Sequence, residues 1–208
     1  ITTKRGKSGA ASIGYDNSFR FEEVYRFPEF QNTYHRGTNG VASPSAIVNP
    51  FSLGEMFAYF GPKYADTTTL YDNSYKNFFR TGFTHKHNLS VDGGNEIATY
   101  RLSSSYTGQD GIIPGTGFNS LSFRLTGSAR LRRNLNVTSS FTYVKSETDK
   151  ASKGMGSYFL TLLNWPHNDD MTKWINANGS RKSLRGVGAN NVEFDNPFWV
   201  VNKNNSFD

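Results

Sequence analysis

The sequence predicts an all-β protein that forms part of a transmembrane antiparallel β-barrel. Three observations support this fold class. Apolar and polar residues alternate with period two, the connections between alternating segments are short and long in turn, and aromatic residues are abundant. Of 208 residues, 36% are hydrophobic and 15% aromatic, with 17 Phe, 11 Tyr and 20 Gly. A barrel with a thin lipid band, aromatic girdles and a polar lumen has this bias.

The first strand is predicted over residues 10–22. Its residues alternate in character, so a strand would place the apolar ones on one face and the polar ones on the other. The apolar set is Ala11, Ile13, Tyr15, Phe19 and Phe21, and the polar set is Ser12, Asp16, Ser18 and Arg20. One side of this strand is therefore expected to face an apolar environment.

Four further strands are predicted at 83–92, 97–109, 120–133 and 135–147. They repeat the alternation, with Arg101, Arg124 and Arg130 on the polar sides of their strands. Arginine is costly in a dry protein core and is tolerated in a water-filled lumen. The polar side of these strands is therefore expected to be wet.

The connections between the predicted strands alternate in length. Those at 93–96 and 133–136 are short, whereas 23–82, 111–119 and the segment after residue 148 are longer. Short turns on one side and long loops on the other are typical of outer-membrane barrels. Within the first long loop, 72–79 is predicted to form a short helix or a turn.

The aromatic residues on the apolar faces are predicted to form a membrane girdle. They are Tyr15, Phe19, Phe21, Tyr100, Tyr106, Phe123, Phe141 and Tyr143. The alternative is a soluble carbohydrate-binding β-sandwich, in which the same residues would fill the core between two sheets. The alternating loop lengths favour the barrel, because a sandwich does not require them.

Composition and motifs exclude several function classes. The chain has no cysteine and a net charge of +6, and its basic residues match no nucleic-acid-binding motif. No stretch approaches the ~20 apolar residues of a membrane helix. No nucleophile motif is present, and His85 and His87 lack a third metal ligand. We therefore predict no catalytic residue, no metal, no cofactor and no nucleic-acid partner.

Aromatic residues near the carboxyl end are the candidate ligand contacts. They are Trp165, Trp174, Phe198 and Trp199. Such rings can stack on a sugar or a peptide, but they can equally pack a loop or dock a partner.

Several segments resemble one family when taken in order along the chain. The segments are Ile1-Thr-Thr-Lys-Arg-Gly-Lys-Ser-Gly9, Tyr25-Arg-Phe-Pro-Glu-Phe-Gln-Asn-Thr-Tyr34, His35-Arg-Gly-Thr-Asn-Gly40, Phe60-Gly-Pro-Lys63, Phe78-Phe-Arg-Thr-Gly-Phe83, His87-Asn-Leu-Ser-Val-Asp-Gly-Gly94, Ala98-Thr-Tyr-Arg-Leu-Ser103, Gly111-Ile-Ile-Pro-Gly115 and Asn196-Pro-Phe-Trp-Val-Val-Asn-Lys203. Together they resemble the SusC/RagA class of TonB-dependent outer-membrane transporters of Bacteroidota. Each segment is weakly specific, and their shared order carries the resemblance.

The resemblance implies a barrel of about 22 strands closed around a plug, of which this chain holds about five strands. It also implies a division of the chain. Residues 1–9 would end the plug and join it to the barrel, 10–149 would hold the first strands with the long loop 23–82, and 150–208 would form an extracellular loop leading to the next strand.

The function implied by the resemblance is import of bulky nutrients, either glycans or oligopeptides, across the outer membrane. The implied partners are a SusD-like surface lipoprotein, outer-membrane lipid, and TonB, which would act through the plug region that this chain lacks. An alternative is a SusC-like barrel that serves as a subunit of a larger secretion or protein-assembly complex. The substrate is not readable from these segments.

Overall fold

The computed structural model describes residues 4, 6–42, 58–154, 156–184, 194–203 and 206–207. The remaining parts of the predicted junction and long loops lie outside this range. The chain separates into two compact units. The first, which we call the wall, comprises 1–22, 82–110 and 117–148. The second, the loop unit, comprises 23–81, 111–116 and 149–208.

Five long strands dominate the structure. They are β1 (Gly9–Glu22), β4 (Gly82–Gly94), β5 (Ala98–Asp110), β6 (Gly117–Arg132) and β7 (Leu135–Lys150). Their order in the sheet is β1-β4-β5-β6-β7, so strands that follow one another among these five are also neighbours in the sheet. The paired residues show that β1 with β4, β4 with β5 and β5 with β6 are all antiparallel. The five predicted strands are thus confirmed, with ends that shift by a few residues.

The remaining elements are short. They are β2 (Gly37–Thr38), β3 (Val41–Ala42), α1 (Tyr158–Asn164), α2 (Pro197–Lys203) and β8 (Ser206–Phe207). Strands β2 and β3 form a hairpin whose turn, Asn39-Gly40, has positive φ at both residues. This is the sequence that such a turn favours. The predicted helix or turn at 72–79 is a run of turns.

The β4–β5 turn is held by one side chain. The Asn95 carboxamide oxygen accepts hydrogen bonds from the backbone N–H groups of Ile97 and Ala98, at 2.9 and 2.8 Å. Gly94 precedes it with a φ of 148°. A Cβ at this position would lie 2.3 Å from the Ala98 carbonyl oxygen. Glycine is therefore required here both by its conformation and by the close approach of the backbone.

Substitution of Gly94 by Ala should disrupt the β4–β5 turn and lower the yield of folded full-length protein. We expect a cost of about 2–3 kcal/mol from backbone strain and the clash. The measurement is the fraction of protein that keeps its folded, heat-modifiable mobility on detergent gels. Gly127→Ala is the matched control, because a Cβ there meets nothing within 4 Å. Equal yields for the two variants would show that the turn tolerates a side chain.

Candidate functional site

One face of the wall carries nearly all of its large apolar side chains. The register across β1, β4, β5 and β6 places Ile13, Val91, Leu102 and Leu125 in one row of this face. The predicted girdle residues lie at odd positions in β1, β6 and β7 and at even positions in β5. These are the positions whose side chains lie on this face. Each of the eight is at least 39% exposed. We call this surface the apolar face.

Burial differs sharply between the two units. Among the described residues, every buried hydrophobic side chain belongs to the loop unit, and the wall contributes none. Water-soluble sheets cover their apolar face with another layer. The only other sheet in the described residues is the small β2–β3 hairpin. The sandwich alternative, which needs a second large sheet, is therefore not what this part of the chain forms.

The opposite face of the wall is polar and rich in small hydroxyl side chains. Arg101 pairs with Asp92 across β4 and β5 at 2.7 Å, and both side chains are mostly buried. The Ser105 hydroxyl donates to the Asn88 carboxamide oxygen at 2.6 Å. These cross-strand bonds give polar partners to the four side chains involved.

A polar groove lies at the turn end of this face. It is lined by Lys4, Lys7, Ser8, Ala10, Ser12, Asp92 and Arg101. Three cations and one carboxylate give the groove a positive balance. Lys4 and Lys7 of the predicted junction are therefore next to the polar face of the wall.

Histidine and aromatic rings gather on the apolar face near the loop end of β4. The Tyr15 hydroxyl and His87 Nδ1 are 2.7 Å apart, and the Phe19 and Phe83 rings stack at 6.2 Å. His85 lies over Gly108, where a Cβ would come within 2.4 Å of its Nε2 atom. The described residues hold no group of three or more His, Asp or Glu side chains placed to bind a metal.

The loop unit has a hydrophobic core of its own. The core residues are Phe78, Leu162, Trp165, Met171, Leu184, Phe194 and Val201. Trp165 is only 5% exposed. Its indole N–H donates to the Asp169 carboxylate at 3.0 Å, and the other oxygen of Asp169 accepts from Lys182 at 2.6 Å.

A buried amide connects two parts of this core. Asn196 is 0% exposed. Its side-chain oxygen accepts from the Phe198 N–H at the start of α2, and its side-chain nitrogen donates to the Met171 carbonyl, both at 2.8 Å. The first bond is a helix N-cap, and the second joins that helix to the segment after Trp165.

Two carboxyls of the loop unit are shifted in opposite directions. Burial raises the pKa of Asp195, although the Arg181 guanidinium 3.3 Å away favours its ionised form. Hydrogen bonds from the Thr172 hydroxyl and backbone lower the pKa of Asp170. The stability that Asp170 contributes is therefore lost as pH falls through its folded pKa, whereas that of Asp195 is lost as pH rises through its folded pKa.

The structure separates the four candidate ligand contacts. Trp165 lies in the core, and Phe198 packs edge-to-face on Phe78 at 5.4 Å. Trp174 and Trp199 are half-buried and meet edge-to-face at 5.7 Å. Trp174 and Trp199 are thus adjacent and partly accessible, and their role in ligand contact stays a prediction.

An aromatic groove in the loop unit was not anticipated from the sequence. Its walls include Phe27, Phe30, Tyr75 and His167. Asp72 accepts hydrogen bonds from Asn32 and lies 3.2 Å from His167 Nδ1. The aromatic segment after β1 was the available signal, but its partners come from sequence positions far away.

Comparison with known proteins finds two similar proteins, one by sequence and one by structure. No protein-family model matches it. It is 25% identical to "TonB-dependent receptor SusC" of Bacteroides thetaiotaomicron over 98% of this chain and 19% of that protein. A chain in the structure of the RagAB peptide importer in its closed-closed state superposes with a TM-score of 0.55. That match has 15% identity and covers 95% of this chain and 24% of the other.

The resemblance to SusC/RagA-type TonB-dependent transporters is confirmed. The sequence match and the shared fold both run over nearly the whole chain, and the predicted fold class, a partial antiparallel β-barrel, is confirmed with it. The chain spans about a fifth to a quarter of the length of these relatives. One is named as a receptor and the other as an importer. No helix in the described residues is long and apolar enough to cross a membrane.

Replacing Asn196 by Ala should loosen the loop unit. The change removes a helix cap and leaves the buried Met171 carbonyl unpaired, at a cost of about 2–4 kcal/mol. The readout is faster amide hydrogen exchange in 165–175 and 197–203 of the full-length protein. Asn202→Ala is the control, because Asn202 makes a single exposed bond to the Phe198 carbonyl. Unchanged exchange in Asn196→Ala would contradict the role given to this amide.

Proposed function

We propose that this chain supplies part of the barrel wall and an extracellular loop region of a TonB-dependent outer-membrane transporter. The observation that carries the proposal is the contrast in burial between the two units. The wall exposes large apolar side chains along one face, while the loop unit encloses its own core. Lipid is the environment in which such a wall is stable, because hydrocarbon covers the apolar face, and the inner strands β4, β5 and β6 each have a paired strand on both sides.

The orientation follows from the connections. The turns at 95–97 and 133–134 are short, and the connections at 23–81, 111–116 and 151–208 are longer. Barrels of the outer membrane place short turns in the periplasm and long loops outside the cell. The loop unit is therefore extracellular in this proposal, and the polar face of the wall lines the lumen.

The transported cargo is a bulky nutrient, a glycan or an oligopeptide, and the partner is a SusD-like surface lipoprotein. The likeness to SusC and to the RagAB peptide importer supports import as the activity. Energy would reach the barrel from TonB through a plug. Residues 1–9, which the sequence predicts to join a plug to the barrel, contribute Lys4 and Lys7 to the groove that Arg101 and Asp92 also line.

Trp174 and Trp199 are the proposed cargo contacts within this chain. They are half-buried and adjacent, so a sugar ring or a peptide side chain can reach them without opening the core. Trp165 and Phe198 pack in or against the core and serve to hold the segments that carry the pair.

Cell fractionation and affinity purification of the full-length protein test the proposed function. We expect it in the outer-membrane fraction, soluble only with detergent, and bound to one surface lipoprotein of the SusD type. Recovery as a detergent-free periplasmic protein would overturn the membrane assignment. Recovery with several secretion or assembly subunits instead of a lipoprotein lid would favour the alternative of a larger outer-membrane complex.

Truncation of the tryptophan pair should weaken cargo binding. For whichever probe the full-length protein binds, maltooligosaccharides or a tryptic peptide mixture, we expect Trp174→Ala and Trp199→Ala to raise Kd about tenfold, which corresponds to ~1.4 kcal/mol. Calorimetric titration gives the Kd. Phe159→Ala removes another exposed ring of the loop unit and should leave Kd unchanged. Wild-type affinity in both tryptophan variants would assign the pair to loop packing alone.

A further inference from the structure

The polarity of the side chains on the apolar face changes abruptly along the strands. Rows of paired residues near the loop end hold the polar side chains Asn17, His85, His87, Asn119 and Asp110 among aromatic rings. We call these five residues the polar tier. In the next three rows toward the turn end, Ser104 is the one polar side chain apart from tyrosines. The change falls within the row of Leu121, where Asn17 and His87 are polar and Leu121 is apolar.

Two tyrosines lie at this boundary. Their hydroxyl groups are directed toward the loop end of the strands. Tyr15 reaches His87, one row closer to the loop end, at 2.7 Å. The Tyr106 hydroxyl donates to Asn119, again one row closer to the loop end, at 3.2 Å. A tyrosine at a membrane surface adopts this orientation, with its ring in the hydrocarbon and its hydroxyl among polar groups.

The length of the apolar run matches a bilayer. On β6 the residues of this face from Leu121 to Leu131 are Leu121, Phe123, Leu125, Gly127, Ala129 and Leu131. Ten steps at ~3.4 Å extend ~34 Å along the strand. With a tilt of about 45° this is ~24 Å along the membrane normal, close to the ~25 Å lipid band of such barrels. Asn119 precedes the run and the turn at 133–134 follows it.

We propose that the polar tier lies at the headgroup level of the outer leaflet and that the hydrocarbon begins at Leu121. Its imidazole and carboxamide groups offer hydrogen bonds to phosphate-bearing lipid headgroups, while the rings of Phe19, Phe21 and Phe83 occupy the interface. The proposal rests on the transmembrane wall proposed above and adds its depth and its lipid contacts. In the proposed barrel, further strands would pair with the edges of this sheet and leave its apolar face to lipid.

Spin labels on full-length protein, with any native cysteine replaced, measure the depth. The protein is reconstituted in phosphatidylethanolamine–phosphatidylglycerol vesicles, and each label is tested for collision with oxygen and with a water-soluble nickel chelate. We expect labels at Phe123 and Leu125 to favour oxygen and a label at Asn119 to favour the chelate. The depth should differ between positions 119 and 125 by ~14 Å. A label at Ser122, on the polar face of the same strand, is the control and should show no preference for oxygen.

A double variant tests the histidines of the polar tier. The double variant His85→Leu, His87→Leu extends the apolar surface by two rows. The label at Asn119 should then collide more often with oxygen, and its measured depth should increase by several ångströms, about one row. Lys86→Leu changes the intervening residue on the opposite face and should not move it. Mass spectrometry of the folded double variant should also show less co-purifying phospholipid.

The outcomes separate the two proposals. If labels at Asn119 and Phe123 favour oxygen equally, or if the double histidine variant leaves the Asn119 label unmoved, the boundary assigned here is wrong while the membrane wall stands. If labels at Phe123 and Leu125 resemble the one at Ser122, the transmembrane wall fails as well.

Discussion

The register of the strand ladder is the constraint on which the rest of the structure depends. From Phe83 to Asp92 each residue of β4 has a fixed partner in β1 and in β5, and this pairing decides which side chains share a face. A slip of one residue would turn Val91 and Leu89 to the polar side and Asp92 to the apolar side. The Asn95 turn and the Arg101–Asp92 pair lie at the end of the hairpin where such a slip would start. These local polar bonds thus help to fix the register, and the register keeps apolar and polar side chains on opposite faces across the sheet.

The two units differ in where they place their large apolar side chains. The loop unit buries Phe78, Leu162 and Trp165 inside its own packing, and Asn196 satisfies buried backbone groups there. The wall has no interior of this kind, and its large side chains stand outward along one surface. A thin sheet with one polar and one apolar surface needs two different surroundings. The burial pattern, more than the strand content, is therefore what connects this fold to a membrane.

Periodicity and turn chemistry were enough to place the wall from sequence. Alternation located all five long strands, and the facing of Tyr100, Phe123 and Tyr143 followed from counting alone. The loop unit could not be derived in this way, because its core joins Phe78 to residues beyond position 158 and no local pattern encodes that pairing. For the same reason Trp165 was grouped with Trp174 and Trp199, although only the latter two are accessible. The sequence identifies these residues as aromatic, but the packing of the loop unit determines which of them are buried in its core.

The position of Phe78 has a consequence for how the polypeptide matures. Its ring contacts Tyr158 and Phe198, so its partners are made only after the residues of β4, β5, β6 and β7 have been synthesised. Contacts so distant in sequence form late and slowly. Until those residues have been synthesised, the Phe78 ring lacks both of these partners. A chain that stops before α2 lacks Val201 of this core and the Phe198 ring that packs on Phe78, so the core of the loop unit is complete only when α2 is present.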